Sequence, residues 1–285
     1  MAAMTMDSYA KINLFLDIEG IRDDGYHNIL SVMQSVSLCD TVTVEYTPSD
    51  EKNIEITCNR PDIPLGEKNI AYKAASRLVG SGNIRIHIEK RIPAAAGLAG
   101  GSADAAATLI LLNKLACGKS EEELIRIGKG VGADVPFCMV GGTKLIDGIG
   151  DIAGDFPGMP DCHILIACGG EGVSTPWGYG ELDRLNNGFV NYEPRRENLE
   201  VLKNTDNDIC EWVKGLFNIF EDVVLPQRPI AARIKAKMLE GGAKAAMMSG
   251  SGPSVFGIFT DRGEAEKMLG ALKKEGIDSH ICTPK

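Results

Sequence analysis

The stretch PAAAGLAGGSADAA, residues 93–106, constrains the fold more than any other part of this chain. Glycine costs backbone entropy and is tolerated mainly where a chain turns sharply or approaches another group closely. Residues 83–92 before it alternate apolar and polar side chains, which predicts a strand. Residues 103–116 after it are rich in alanine and leucine and predict a helix. The segment is therefore a glycine-rich loop between a strand and a helix N-terminus.

This loop has two interpretations. A helix N-terminus carries unpaired backbone N–H groups and a partial positive charge, and small residues before it let a phosphate reach them. Residues 97–102 suit that function, and Ser102 adds a hydroxyl. The loop is neither a Walker A loop, since no Gly-Lys-Ser/Thr closes it, nor a GxGxxG motif. A tight turn that only packs against the helix explains the pattern equally well.

A second glycine-rich stretch, SGSGPS at residues 249–254, lies between two apolar segments. Alone it is typical of a hairpin turn. Two such loops in one chain favour an anion-binding site, because both can present N–H groups to one ligand.

Two isolated charges stand in apolar surroundings. Asp134 precedes the apolar run VPFCMV, and Lys11 lies in an alternating strand pattern. Asp134 is either a helix N-cap or a general base or cation partner. Lys11 is either a solvated amine on an exposed strand face or the complementary cation. The pattern by itself favours the structural interpretation of each residue.

Composition excludes several classes of protein. The net charge of −9 argues against a nucleic-acid partner or an anionic membrane, because both need a basic surface. The eight cysteines show no CxxC spacing, and several lie in apolar runs, which predicts buried free thiols in a reducing compartment. We find no signal-peptide pattern and no apolar run long enough to span a membrane, so a cytoplasmic location is expected.

The spacing of apolar residues and the positions of glycine and proline predict a mixture of strands and helices, which makes α+β the expected fold class. The glycine- and proline-rich residues 141–161 are a candidate domain boundary. Predicted strands cover residues 9–20, 33–38, 40–47, 83–92 and 162–170, with a strand–turn–strand over 245–259. Predicted helices cover residues 68–80, 103–116, 120–132, about 197–217, 229–240 and 261–276.

Together these stretches resemble the GHMP kinases. The glycine loop and MSGSGPSVFGIF (248–259) are similar to that superfamily's two glycine motifs. The blocks YAKINLFLDI, DDGYHNILSVMQSVSLCD, GADVPFCMVGGT, GVSTPWGY and LFNIFE narrow the resemblance to members whose substrate carries a cytidine diphosphate. The resemblance implies a two-lobed α+β fold with the active site in the cleft between lobes. It divides the chain into an ATP-binding N-terminal domain, residues 1–155, and a C-terminal domain, residues 156–285.

The resemblance also implies an activity, transfer of the ATP γ-phosphate to the tertiary 2-hydroxyl of a methylerythritol unit carrying a cytidine diphosphate, in non-mevalonate isoprenoid precursor synthesis. ATP and Mg²⁺ are the implied cofactors, and Ser102 is the one metal ligand it suggests. The expected partner is this small molecule, with no nucleic acid or membrane, and the chain is expected to be a monomer or homodimer. Lys11 and Asp134 match the catalytic pair.

The resemblance assigns the remaining site residues by position. Tyr26 and Tyr179 would stack on the two faces of cytosine, with Trp177 as a rival for the second position, and His27 would bind the cytosine edge. The substrate-side residues are Asn13, Tyr26, His27, Thr175 and Tyr179. The nucleotide-side residues are Asn69, Lys90, Pro93, Ala94, Ala95, Ala96, Gly97, Leu98, Ala99, Gly100, Gly101, Ser102, Ala103 and Asp104.

Two alternatives stay open at this point. One is another GHMP kinase, such as a homoserine or mevalonate kinase, with the same ATP site and a different acceptor; the Gly-Tyr-His block argues against it. The other is a non-catalytic nucleotide sensor or RNA-binding module. The acidic net charge and the presence of both Lys11 and Asp134 argue against that class.

Overall fold

The computed structural model describes residues 2–190, 192–204 and 208–285. Its strands are β1 (Ala2–Ile21), β2 (His27–Thr47), β3 (Lys52–Cys58), β4 (Gly82–Glu89), β5 (Thr143–Asp147), β6 (Asp151–Asp155), β7 (His163–Cys168), β8 (Phe217–Asn218), β9 (Ala245–Met248), β10 (Ser254–Phe259) and β11 (Ser279–Cys282). Its α-helices are α1 (Ile70–Leu78), α2 (Gly100–Leu112), α3 (Glu121–Val131), α4 (Val135–Val140), α5 (Thr175–Leu185), α6 (Arg196–Lys203), α7 (Ile209–Trp212), α8 (Glu221–Val224), α9 (Pro229–Glu240) and α10 (Arg262–Lys274).

The chain forms two compact units, and each unit collects several separate stretches. Unit 1 contains residues 1–10, 39–94 and 99–141, and unit 2 contains residues 11–38, 95–98 and 142–285. Strands β1 and β2 and the first glycine loop each contribute residues to both units. The division into domains at residue 155 stays a prediction, since the units interleave along the chain.

Unit 1 places helices against one face of a sheet. Strand β4 pairs in parallel with β3 and antiparallel with the second half of β2. Helices α1 to α4 cover this sheet, and their core includes Val44, Ile86, Ala74, Leu109 and Val135. Helix α3 begins with a capping box between Ser120 and Glu123, as its sequence suggests. The sheet and α1 thereby support helix α2, which follows the glycine loop.

Unit 2 contains an antiparallel sheet in the order β11-β7-β10-β9. Helices α9 and α10 pack on it through a core that includes Leu165, Ile234, Phe259 and Leu272. A second core joins the end of β1 to α5 and α8 and contains Ile18, Leu182 and Phe220 among its buried residues. The hairpin of β5 and β6 pairs with the first half of β2.

The α+β prediction is confirmed, and several boundaries differ from their predictions. The two strands predicted over 33–38 and 40–47 form one continuous strand, β2, whose residues 30–36 are all buried. The candidate boundary at 141–161 contains the β5–β6 hairpin. The helix predicted near 197–217 divides into α6 and α7, with residues 205–207 outside the described residues. Helix α9 matches its predicted bounds.

The cysteines vary in exposure. No disulfide joins the cysteines of the described residues; Cys162 and Cys282 are buried, and Cys210 is exposed, so the prediction of burial holds only in part. Burial raises the pKa of Cys162 and of Cys282 to about 12, which keeps both protonated and unreactive. Among the described residues, each helix is too short or too polar to cross a membrane.

Candidate active site

Gly97 lies where residues 95–98 of the first glycine loop meet the second glycine loop within unit 2. Its φ is +77°, and a Cβ there would lie 2.1 Å from the backbone oxygen of Ser249. The Ser249 hydroxyl donates to the Gly97 carbonyl at 2.9 Å, and the Ser254 N–H donates to the Ala96 carbonyl at 3.3 Å. Close packing therefore requires glycine at position 97, and residues 95–98 and 249–254 form one continuous backbone surface.

The Lys11 ammonium lies against this surface. Lys11 is only 4% exposed, so the alternative of a solvated amine on an open strand face is wrong. Its Nζ donates to Asn13 Oδ1 at 2.7 Å and to the Gly97 carbonyl at 2.9 Å. A Cβ on Gly250 would lie 3.3 Å from this Nζ. The structure thus brings a buried cation to both glycine loops within unit 2.

Asn13 orients Lys11 and is itself held in place. Its Nδ2 donates to the Ser31 hydroxyl at 2.9 Å, and that hydroxyl donates to the Phe15 carbonyl at 2.6 Å. Both side chains are buried. Because Nδ2 faces an acceptor, Oδ1 must face Lys11, so the amide orientation is fixed by its hydrogen bonds.

The second loop has its own support. Asn218 Nδ2 donates to the carbonyls of Met248 and Gly250, at 2.7 and 2.9 Å. Thr175, the first residue of α5, lies 3.0 Å from the Ser251 hydroxyl through its Oγ1. Asn218 is buried and Thr175 is exposed. The loop is therefore held by Asn218 on its buried side, and its solvent-exposed side faces Thr175.

Helix α2 begins at Gly100, three residues before the predicted start. Ala99 precedes it with a left-handed φ of 56°, and Ala95 has a φ of 52°. Such conformations cost an L-residue about 1–2 kcal/mol and concentrate at functional sites. Within the described residues 99–112, the helix has no side-chain N-cap. Its first N–H groups are therefore left to bind water or an anion such as a phosphate.

Asn69 lies near this helix start as the N-cap of α1. Its Oδ1 accepts from the Ala71 N–H at 2.9 Å, and its Nδ2 donates to the Pro64 carbonyl at 2.8 Å. The next residue, Ile70, would contact a Cβ on Gly101 at 3.4 Å. The structure thus places the Asn69 cap beside the start of α2, and a direct contact of Asn69 with a nucleotide stays a prediction.

Lys90 and Asp104 form an ion pair beneath the start of α2. Lys90 Nζ lies 2.8 Å from Asp104 Oδ2 and 2.5 Å from Asp40 Oδ2, and Ser8 donates to Asp104 Oδ1 at 3.0 Å. Burial opposes the charge of Lys90, but Asp104 and Asp40 outweigh it and raise the pKa of its ammonium. Burial raises the pKa of Asp104 to about 7, and Asp40 adds to this rise. One ammonium cannot neutralise two buried carboxylates.

Asp134 occupies the N-cap position of α4. In the described helix its side chain makes no capping hydrogen bond, and the carboxylate is half-buried. A Cβ on the nearby Gly132 would lie 3.9 Å from the Ser102 hydroxyl of α2. Asp134 is therefore the N-cap residue by position but not by a side-chain hydrogen bond, and it lies in the turn beside α2 of unit 1.

A cluster of rings surrounds His27 in unit 2. The Tyr179 ring stacks on His27 with centroids 4.5 Å apart, and Phe189 meets His27 edge-on at 5.9 Å. His27 Nε2 lies 2.6 Å from Asp183 Oδ1, and because a carboxylate only accepts, Nε2 carries the proton. The structure thus brings together His27 and Tyr179, two of the predicted substrate-side residues.

The other aromatic candidates differ in their surroundings. Tyr26 is 66% exposed, at the tip of the turn after β1. Trp177 is half-buried, and the Arg228 guanidinium lies 5.7 Å from the centre of its ring. Of Tyr179 and Trp177, it is Tyr179 that the structure stacks on His27.

Several residues with functional positions escape sequence reasoning. Asp40, Asn218 and Ser249 fix the two glycine loops through partners far along the chain. Asp183 had one usable signal, because it follows Tyr179 by four residues and so shares its face of α5. Asp40, Asn218 and Ser249 lie within sequence blocks that carry the family resemblance, but no local pattern predicts the contacts they make.

The side chains present suit a magnesium ion that arrives with a nucleotide. Among the described residues, no group of three or more His, Cys, Asp or Glu side chains is placed to hold a metal. Ser102 offers a hydroxyl in the first turn of α2, and oxygen donors suit Mg²⁺. Phosphate oxygens would have to supply most of the remaining ligands.

Comparison with known proteins identifies relatives of this chain. The GHMP kinases N terminal domain matches residues 69–142, and the GHMP kinases C terminal domain matches residues 198–278. The 4-diphosphocytidyl-2-C-methyl-D-erythritol kinase of Caldicellulosiruptor bescii is 43% identical, over 98% of each chain. A crystal structure of 4-(cytidine 5'-diphospho)-2C-methyl-D-erythritol kinase superposes with a TM-score of 0.80 at 28% identity, covering 99% of each chain.

A mevalonate kinase from Methanococcus jannaschii shares the fold, with a TM-score of 0.74 at 15% identity over 100% of this chain and 99% of its own. That likeness shows the architecture alone, whereas the 43% identity extends along almost the whole chain. The resemblance to the GHMP kinases inferred from the sequence is confirmed. The chain belongs to the GHMP kinases and, within them, to the 4-diphosphocytidyl-2-C-methyl-D-erythritol kinase family.

Proposed function

We propose that this protein transfers the γ-phosphate of ATP to the tertiary 2-hydroxyl of 4-diphosphocytidyl-2-C-methyl-D-erythritol, in non-mevalonate isoprenoid precursor synthesis. The observation that carries the proposal is the buried Lys11 ammonium, held by Asn13 and by the carbonyl of Gly97 in the first glycine loop. A buried cation is costly unless an anion compensates it, and a transferring phosphoryl group supplies that charge.

The phosphates of ATP would bind along the first glycine loop and the start of α2. The N–H groups of the uncapped first turn supply donors, and the helix dipole favours the negative charge. Ser102 would complete the coordination of Mg²⁺, which neutralises charge on the phosphates when it is bound. Asn69, Lys90 and Asp104 would belong to this nucleotide side. The ion pair between Lys90 and Asp104 would support the first turn of α2 from its buried face.

Lys11 and Asp134 would perform the chemical step. A tertiary hydroxyl is a poor nucleophile, and Asp134 would accept its proton as the new P–O bond forms. Lys11 would orient the hydroxyl and stabilise the negative charge that develops during transfer. The absence of a capping bond within described helix α4 leaves the Asp134 carboxylate available for this function.

The cytidine would be recognised by the ring cluster of unit 2. Tyr26 and Tyr179 would stack on cytosine, His27 would bind its edge, and Asn13 and Thr175 would contact the rest of the substrate. Stacking on an aromatic face contributes about 1–3 kcal/mol per base. The stacked Tyr179 and His27 pair supports this assignment, although Tyr179 would have to exchange part of its present contact for the base.

Phosphorus NMR of a reaction with ATP, Mg²⁺ and the cytidine substrate tests the proposal. We expect a new phosphomonoester signal to appear together with ADP. Parallel reactions with homoserine and mevalonate test the other GHMP acceptors. A phosphomonoester formed only with one of those acceptors, or no turnover with any acceptor, would contradict the proposed function.

A further inference from the structure

Residues on both sides of the first glycine loop converge on one buried carboxylate, Asp40. Its side chain is fully buried in β2 within unit 1. Oδ1 accepts from the backbone N–H groups of Arg91 and Ile92, at 2.5 and 2.8 Å. These two residues directly precede Pro93, where the loop begins. Asp40 thereby fixes the direction in which the chain leaves β4.

The other oxygen of Asp40 reaches the far side of the loop through Lys90. Lys90 Nζ donates to Asp40 Oδ2 and also to Asp104 Oδ2 in α2. A Cβ on Gly100 would lie 3.1 Å from this Nζ, so the ammonium lies directly beneath the first residue of the helix. One carboxylate thus holds both the entry to the loop and the start of α2.

We infer that Asp40 is a positioning residue for the nucleotide, one that fixes the phosphate-binding N–H groups without touching the nucleotide. The inference rests on the proposed function, because it assumes that the phosphates bind at this loop. Preorganised N–H groups bind an anion well only when they are held in place beforehand, and a displacement of about 1 Å can cost a factor of about 100. Both flanks of the loop lose this anchor when the Asp40 charge is removed.

A purely structural carboxylate would behave differently, and Asp17 provides the matched control. Asp17 is also fully buried and accepts from two backbone N–H groups, of Ile18 at 2.9 Å and Arg195 at 3.0 Å. It accepts from the Tyr192 hydroxyl at 2.7 Å as well. Asp17 lies in unit 2, and all of these hydrogen-bond donors lie in unit 2 as well. Its replacement measures the general effect of removing such a charge.

The test compares Asp40→Asn and Asp17→Asn with the wild type. Calorimetry measures the Kd of MgATP and of the cytidine substrate, and thermal unfolding measures stability. We expect Asp40→Asn to weaken MgATP about tenfold or more, the effect of one charged hydrogen bond, and to change cytidine binding less than about twofold. Asp17→Asn should leave MgATP binding within about twofold of the wild type.

A double variant covers the case in which Asp40→Asn does not fold. Asp40→Asn with Lys90→Met leaves Asp104 as the sole titratable member of the cluster, and it should weaken MgATP more than Lys90→Met alone, because a neutral amide oxygen holds the Arg91 and Ile92 N–H groups less firmly than a carboxylate does. Wild-type MgATP affinity in Asp40→Asn, or a double variant that binds MgATP as well as Lys90→Met does, would overturn the inference, as would equal losses of both ligands. A wild-type protein that binds no MgATP would overturn the proposed function itself.

Discussion

Gly101→Ala separates phosphate binding from packing at the first glycine loop. Gly101 is the second residue of α2 and is exposed. A Cβ there would lie 3.4 Å from Ile70 Cδ1, which is ordinary van der Waals contact, and its φ is compatible with alanine. Alanine favours a helix over glycine by about 0.5–1 kcal/mol. The folded protein should therefore be as stable as the wild type, or slightly more stable.

The same methyl group would stand where a phosphate approaches the helix. If the phosphate oxygens accept from the N–H groups of the first turn, the methyl group displaces at least one such bond. A hydrogen bond to a charged group contributes about 1.5–3 kcal/mol, which corresponds to a loss of about 10- to 100-fold in MgATP affinity. Binding of the cytidine substrate alone should change little.

Gly97→Ala provides the contrasting packing defect. Its φ of +77° disfavours alanine, and the added Cβ would lie 2.1 Å from the Ser249 carbonyl oxygen. Relief of that overlap displaces the Gly97 carbonyl, which accepts from both Lys11 and Ser249. The left-handed conformation and two weakened hydrogen bonds together cost on the order of 3–5 kcal/mol. Stability and the binding of both ligands should fall together.

Differential scanning fluorimetry and calorimetry with each ligand distinguish the two variants. The expected pattern is an unchanged or raised Tm with weakened MgATP for Gly101→Ala, and a lowered Tm with general loss for Gly97→Ala. A Gly101→Ala protein with wild-type MgATP affinity would refute the reasoning. The loop would then be a packing turn throughout, and not only at Gly97.

Three further predictions concern the carboxylates. Asp134→Asn should lower kcat by a factor of about 10²–10⁴ and leave ligand affinities nearly unchanged. Steady-state kinetics measure this, and a kcat near that of the wild type would show that Asp134 is not the general base. The folded pKa of Asp104 is raised from 3.8 to about 7, so its stabilising contribution is complete below 3.8 and is lost as the pH rises through about 7. In denaturant unfolding, the free energy of unfolding of Asp104→Asn should rise relative to that of the wild type by on the order of 1–3 kcal/mol between these two pH values. A difference that does not depend on pH would contradict the raised pKa. Asp183→Asn should raise the KM for the cytidine substrate several-fold and leave that for ATP unchanged; Glu181→Gln, which removes an exposed ion pair with Arg184 on the same helix, is the control and should change neither.

Local signals explain the parts of the fold that the sequence could predict. The capping box of Ser120 and Glu123 fixes the start of α3 within four residues. Helix α9 begins at Pro229, which suits a first helical position. The turn of SGSGPS joins β9 to β10 as expected. In each case the residues that determine the structure are neighbours along the chain.

The site residues that sequence reasoning missed depend on distant partners. Asp40 meets Lys90 across 50 positions, and His27 meets Asp183 across 156. Propensity and periodicity describe only neighbouring residues, so they contain no information about such pairs. The resemblance to the GHMP kinases supplied Lys11 and Asp134, but the contacts that hold Lys11 in place come from the fold.

Lys11 and Lys90 are both buried, but the groups that hold them differ in charge. Lys90 is held by two carboxylates, Asp40 and Asp104, which more than balance its charge. The oxygens that hold Lys11 in unit 2, from Asn13 and Gly97, are both neutral. Burial of a cation against neutral oxygens costs free energy that an incoming anion recovers. Lys90 is therefore suited to stabilise the glycine loop. Lys11 is suited to bind a negatively charged group of the substrates during the reaction.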